Sequence, residues 1–341
     1  MNGGQLFSAL DISRAYLNMM MDDESAMLQT LSTHKRMYKV NRLMFGVKVA
    51  PSLWQKFMDS LLQGIEGVKC FFDDIIIQGS SEDESLLRLK QVLQKLKESN
   101  LRVNKDNCHF FKQSINYLGH TIDKDGLHKN KEKVVAITNT IRPTNLNELR
   151  TFLGMANYYN KFITNLSSIT SPLNNLLKKG TNFIWSPECE RSFNQIKKEI
   201  LSERVLTHFD SSKPLILFTD ASPTGLGAVL SHRLPDGSER PIAFASRSLT
   251  NSEKKYSQID KEATSIYWGL KKFFHYCYGR NFTLVTDHKP LTSIFHPHQT
   301  LPALSTMRLF HYAHFLSGFD YQIEYRRSLQ HSNADYLSRF P

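Results

Sequence analysis

Cysteine is scarce. The 341 residues hold four (Cys70, Cys108, Cys189, Cys277), far apart and with no CxxC pair. That excludes a cysteine-rich zinc site and a disulfide framework, and it fits a reducing compartment. Long apolar runs are missing too. None is long enough to cross a bilayer, and the N-terminus lacks a basic stretch followed by an apolar core. A cytoplasmic protein is expected, neither secreted nor membrane-bound. Acidic residues are in deficit, 32 Asp+Glu against 43 Lys+Arg, for a formal charge of +11. Such an excess points to a polyanionic partner, most often nucleic acid, although a merely basic soluble protein has the same balance. The length suits two or three domains.

The first hundred residues mix strands and helices, an α+β pattern. "QLFSALD" reads as a strand ending near Asp11. Pro51 suits the first turn of a helix, whose apolar residues Leu53, Trp54, Phe57, Met58, Leu61 and Leu62 follow helical spacing. Ser81 and Glu84 form a capping box ahead of a stripe of Leu86, Leu89, Val92, Leu93 and Leu96. Residues 143–201 are mainly helical, with starts at Asn145 and Ser186. The polar, proline-containing "FDSSKP" (209–214) marks a boundary. Beyond it, "LILFTD", "GLGAVLSH" and "PIAFASRSL" are spaced as an antiparallel meander. A helix over roughly 258–276 and a further strand, "FTLVTD", follow.

Within "KCFFDDIIIQ" (69–78) two adjacent carboxylates stand between aromatic and β-branched runs that read as short strands. Asp is a common turn residue, but tight hairpins favour a glycine that is absent here. Adjacent like charges also repel. A turn and a metal site are both consistent with this stretch. Further on, Glu262 lies inside the apolar stripe of its helix, among Ile259, Ala263, Ile266 and Leu270. A carboxylate on a buried face is costly unless a cation meets it. Asp220 and Asp287 each end an apolar strand in Thr-Asp, and Asp335 follows a helix-cap residue, Asn333. Singly, these three are ordinary turn and helix-start acids. Together with Glu262 they form an oxygen-only set suited to Mg²⁺ or Mn²⁺. By the same logic Asp11, Asp73 and Asp74 could build a second site.

At these residues the sequence resembles the reverse transcriptase–ribonuclease H region of a Pol polyprotein from a gypsy-type long-terminal-repeat retrotransposon. "FSALDISRAY" resembles the first catalytic motif of the polymerase palm, "LMFGVKVAPSLWQKFMD" the segment beside the nucleotide pocket, and "FFDDIII" the YxDD hairpin. "YLGHTIDKDGL" resembles the primer-holding segment, and "NELRTFLGMANYYNKFI" the thumb and connection helices. "TDAS", the helix bearing Glu262, "TDHKPL" and "NADYLSR" resemble the motifs of ribonuclease H.

The resemblance implies an α+β palm of a polymerase right hand with partial fingers (1–120), a helical thumb and connection (121–212), and an α/β ribonuclease H-like domain with a mixed five-stranded sheet (213–341). It casts Asp11, Asp73 and Asp74 as catalytic metal ligands of the polymerase, and Tyr16, Phe45, Gly46 and Gln55 as nucleotide-binding residues. Asp220, Glu262, Asp287 and Asp335 become the catalytic metal ligands of the nuclease, with two Mg²⁺ (or Mn²⁺) in each active site. His331 is either an assistant to proton transfer or an exposed loop residue. The implied partners are an RNA template, a DNA primer, an RNA–DNA hybrid and deoxynucleoside triphosphates, with no membrane; a homodimer is compatible.

Three departures stand out. The YxDD tyrosine is Phe71, Met44 replaces a usual proline, and Val49 a usual asparagine. Only ten residues precede Asp11, where the family has much of its fingers, so an N-terminally truncated chain is expected. Three readings follow: a two-activity enzyme, a working ribonuclease H with a dead polymerase, and a non-catalytic nucleic-acid-binding remnant.

Overall fold

A computed structural model describes residues 3–297 and 307–326. Two compact units are distinguished, Met1–Gly126 and Leu127–Pro341. The first unit contains strands β1 (Leu6–Asp11), β2 (Thr30–Ser32), β3 (Met37–Lys39), β4 (Val68–Phe71), β5 (Asp74–Gly79), β6 (His109–Lys112), β7 (Ser114–Tyr117) and β8 (His120–Asp123). Its helices are α1 (Asp23–Leu28), α2 (Ala50–Leu61) and α3 (Glu82–Glu98). The main sheet runs β4-β5-β1-β6. β5, flanked by strands on both sides, buries five of its six residues, as its unbroken isoleucine run requires. Helices α2 and α3 supply Trp54, Met58, Leu89, Val92 and Leu96 to a core shared with Leu10, Ile75 and Ile77.

Two details differ from the sequence reading. Leu53, Leu86 and Leu93 are exposed, and α3 instead turns Ser85 inward. The helix faces are therefore narrower than the apolar stripes, because one short sheet is all they cover. The cap at Ser81 accepts from the Glu84 N–H, but the Glu84 carboxylate returns to the N–H and hydroxyl of Ser80.

The second unit opens with β9 (Leu127–Lys129) and the helices α4 (Lys131–Thr138), α5 (Leu146–Tyr158), α6 (Leu166–Ile169), α7 (Ser171–Leu176) and α8 (Pro187–Leu201). Strands β10 (Leu215–Ala221), β11 (Gly225–Arg233) and β12 (Glu239–Ser248) follow. Next come α9 (Gln258–Lys272), α10 (Phe274–Cys277), β13 (Asn281–Thr286), α11 (Lys289–Ile294), α12 (Met307–Leu316) and β14 (Asp320–Tyr325). The helix expected over 258–276 is thus interrupted at Phe273, which leaves helical geometry at φ −106°, ψ 24°.

The sheet order is β12-β11-β10-β13-β14. β10, β11 and β12 form the antiparallel meander, while β13 runs parallel to both β10 and β14. This is the mixed five-stranded sheet of the fold class given above. α9 packs Ala263, Ile266 and Leu270 on one face against Leu217, Leu230 and Leu284. A second core of Leu149, Phe152, Phe162, Phe193, Ile196 and Ile200 takes in Phe244 of β12, and Phe162 and Ile200 are fully buried in it.

Candidate active sites

In the first unit Asp11 ends β1 and lies directly across from Asp74, the first residue of β5. Phe71 pairs with Asp74, so Phe72 and Asp73 are the two residues of the turn. The acid pair therefore straddles a two-residue hairpin and its following strand. Phe72 supplies the positive φ (54°) that a glycine would ordinarily provide. A bulky residue there is strained by about 1–3 kcal/mol. The strain is held by α2. Gln55 Oε1 accepts from the Phe72 N–H at 2.8 Å, Trp54 Nε1 donates to the Phe72 carbonyl at 2.7 Å, and Gln55 Nε2 donates to the Cys70 carbonyl at 3.1 Å. The Tyr117 hydroxyl adds a bond to the Asp74 carbonyl at 3.2 Å.

Asp11 Oδ2 accepts from Asn107 Nδ2 at 2.7 Å and from Asn104 Nδ2 at 3.4 Å. Burial first, then the charges of Asp73 and Asp11, raises the Asp74 carboxyl above the usual range. The Cys70 thiol beside them is pushed up to about 12, by burial before the charges of Asp59, Asp73 and Asp74. Among the described residues no Lys or Arg forms an ion pair with Asp11, Asp73 or Asp74. An all-oxygen, negatively charged and uncompensated set of this kind fits a hard divalent cation. The three carboxylates do not, however, converge into a common ligand set as Asp220, Glu262 and Asp287 do.

The sequence-derived nucleotide residues divide. Tyr16 and Phe45 form a ring pair at 5.3 Å, with Tyr16 also edge-on to Trp54. Gly46 has the positive φ (88°) of a turn. Gln55 spends its amide on the hairpin, with a further bond to Asp59 at 2.8 Å.

In the second unit Asp220 is the exposed penultimate residue of β10, Asp287 follows β13, and Glu262 lies on α9. β10 and β13 pair in parallel as far as Phe218 and Val285, and each aspartate comes two residues beyond that pair. Gly269 lets α9 approach: a Cβ there would meet Thr219 Cγ2 at 2.9 Å and Ala228 Cβ at 3.3 Å. One carboxylate oxygen from each of Asp220, Glu262 and Asp287 lies within 4.8 Å of the others.

Glu262 is 3% exposed and its Oε2 has no hydrogen-bond partner. Burial foremost, then the charges of Asp220 and Asp287, holds its carboxyl up at about 8. A buried carboxylate with one oxygen left unpartnered, clustered with two more carboxylates, fits a divalent cation with oxygen preference. Asp335 and His331 lie outside the described residues.

The sequence reading missed Trp54, Asn107, Tyr117 and Gln258. Only Gln258 carried a legible signal, standing four residues before Glu262 on one helix face.

Residues 1–122 match the family described as reverse transcriptase (RNA-dependent DNA polymerase), and residues 185–284 match the RNase H-like domain found in reverse transcriptase. The chain is 33% identical over 335 residues to the retrovirus-related Pol polyprotein from transposon 412 of Drosophila melanogaster, covering 98% of this chain and 27% of that protein. The corresponding polyprotein from transposon 297 is 36% identical over 338 residues, covering 98% and 31%. The Tf2-7 polyprotein of Schizosaccharomyces pombe is 34% identical over 343 residues, covering 99% and 25%. The chain thus spans about a quarter to a third of the length of these relatives. Among solved structures, the foamy viral protease–reverse transcriptase with an RNA/DNA hybrid superposes with a TM-score of 0.81 at 23% identity, covering 99% of this chain and 45% of that one. A related foamy viral structure with double-stranded DNA gives 0.82 at 23% identity, covering 95% and 57%. The fold is shared with these enzymes.

Proposed function

We propose that this chain is the reverse transcriptase–ribonuclease H region of a gypsy-type retrotransposon Pol polyprotein, an RNA-directed DNA polymerase that also cleaves the RNA of RNA–DNA hybrids. The observation that carries the reading is the buried Glu262, one of its oxygens unpartnered and its carboxylate clustered with Asp220 and Asp287, in the same chain as a strained hairpin bearing Asp73 and Asp74 opposite Asp11. Palm and partial fingers are assigned to 1–120, thumb and connection to 121–212, and the nuclease to 213–341. RNA template, DNA primer and deoxynucleoside triphosphates serve the first site and hybrid the second, in the cytoplasm or within a retrotransposon particle.

Bound Mg²⁺ or Mn²⁺, two per site, would supply a lowered pKa for the attacking hydroxyl or water and charge stabilisation at the phosphate. The chain's own residues do the holding. Asp11, Asp73 and Asp74 present carboxylates from rigid strand ends toward the primer terminus. Tyr16 and Phe45 wall the nucleotide side, with Gly46 in the turn after Phe45, and Gln55 fixes the hairpin from behind. In the nuclease, Asp220, Glu262 and Asp287 form the ligand set, and Asp335 is assigned as the fourth ligand from its motif. Recognition of the 2′-hydroxyl distinguishes the RNA strand, and the net positive charge favours the backbone, so binding weakens with salt.

The test is a pair of substitutions in the purified chain. Asp73→Asn is expected to stop primer extension on an RNA template and spare hybrid cleavage; Glu262→Gln does the reverse. Retention of both activities by both variants rejects the assignment. A second reading, a working nuclease beside a silent polymerase, is favoured by one observation: the nuclease carboxylates meet within 4.8 Å and the palm carboxylates do not. Hybrid cleavage without any extension by the unmodified chain selects it.

A further inference from the structure

Glu262 is held by a neighbour that no part of the proposed reaction uses. Gln258 Nε2 donates to Glu262 Oε1 at 2.6 Å and to the Ala221 carbonyl at 3.2 Å. Both partners are acceptors at these contacts, so the side-chain nitrogen, with its two hydrogens, must face them. The amide thereby bridges the two elements that bring the carboxylates together: α9, which carries Glu262, and the end of β10, where Ala221 follows Asp220. It fixes one oxygen of Glu262 and leaves Oε2 as the atom without a partner.

The choice of a neutral donor matters. An arginine or lysine in this position would also satisfy Glu262 Oε1, but would place a positive charge beside a cation site. A glutamine orients the carboxylate without neutralising it. Gln258 is itself exposed and is the first residue of α9, whose N-cap hydroxyl comes from Ser257. Its side chain is therefore dispensable for the helix start and for the core.

We propose that Gln258 is a positioning residue of the nuclease site, locking the Glu262 carboxylate in the rotamer that offers Oε2 to a divalent cation and tying that carboxylate to the strand end bearing Asp220. The assignment rests on the metal-dependent nuclease reading given above. Groups that orient a ligand from behind typically change metal affinity by about 10–100-fold when removed.

The measurement is Mn²⁺ binding by electron paramagnetic resonance titration of the full chain in an Asp11→Asn, Asp73→Asn, Asp74→Asn background, which removes the palm carboxylates from competition. Gln258→Met keeps the side-chain length and loses both donors; Gln258→Ala is the second variant. Both are expected to weaken Mn²⁺ binding roughly tenfold or more, with an unchanged melting temperature for the metal-free chain. Hybrid cleavage falls at low Mn²⁺ and recovers as Mn²⁺ is raised, while KM for the hybrid stays constant. Wild-type Mn²⁺ affinity in both variants overturns the proposal, and so does a loss of affinity that tracks a loss of melting temperature. A Glu262→Gln control separates the two levels. If that control also binds Mn²⁺ normally, the metal reading itself fails. If it loses binding while Gln258→Met does not, only the role of Gln258 is lost.

Discussion

Trp54, with its ring fully buried under the palm sheet, donates its indole N–H to the carbonyl of Phe72 at 2.7 Å, inside the turn that carries Asp73. The turn's left-handed residue is thus fastened from the core. Trp54→Phe keeps most of the apolar volume and removes the donor. It is expected to cost about 1–3 kcal/mol, the penalty for a buried carbonyl left without its partner, read from the denaturant midpoint of the transition lost by the first unit. Phe72→Gly should cost far less than an ordinary Phe→Gly change. Relief of the positive-φ strain, about 1–3 kcal/mol, offsets lost ring contacts. A loss in Phe72→Gly as large as that of a fully buried phenylalanine contradicts the strain argument.

Glu262 sets a pH dependence. Its folded-state carboxyl titrates at about 8 against an ordinary value of 4.5. The native state then binds this proton more tightly than the unfolded chain does. The associated stability is complete below the ordinary value and is lost as pH rises toward the folded value. Metal-free protein is therefore expected to lose stability between those limits, by roughly a few kcal/mol at most, and Glu262→Gln to flatten the decline. Cation binding requires the ionised carboxylate, so Mg²⁺ binding near neutral pH should release about one proton. Calorimetry in buffers of different ionisation enthalpy reads that proton, and Glu262→Gln should abolish it. A binding heat independent of buffer in the unmodified chain rejects the protonated state.

Much of this was legible because the signals are local. β1, the hairpin strands, the meander and the caps at Ser81, Asn145 and Ser186 follow from alternation, helical spacing and capping chemistry within a few residues. Glu262 was conspicuous because a carboxylate broke an apolar stripe. Other features depend on distant chain segments. The positive φ of Phe72 is set by Gln55 and Trp54, and nothing between Cys70 and Ile75 announces it. The amides on Asp11 come from residues 104 and 107, more than ninety positions away. The exposure of Leu86 and Leu93 reflects how much sheet is available to cover them, which a helix's own sequence does not encode.

The same distance effect supplies a last test. Asn165, itself at φ 53°, places its side-chain oxygen 2.4 Å from where a Cβ on Gly227 would stand. Gly227 lies opposite Asp220 in the β10–β11 register. Nearby, Ser168 meets the hydroxyl of Ser222 at 2.9 Å, and the Ser167 N–H donates to the Ser246 hydroxyl at 3.1 Å. The start of α6 is thus seated on this part of the sheet through small polar groups, and glycine makes the room. Gly227→Ala is acceptable to a strand backbone, so its cost comes from displacing Asn165. A loss of about 1–3 kcal/mol is expected, as for overpacking elsewhere. Adding Asn165→Gly removes the clashing oxygen and suits the left-handed backbone. The double variant should then recover most of the stability lost by Gly227→Ala, with a coupling of about 0.5–3 kcal/mol across the cycle. Strict additivity of the two changes, measured by thermal unfolding of the full chain, would mean that the start of α6 does not bear on β11 in solution.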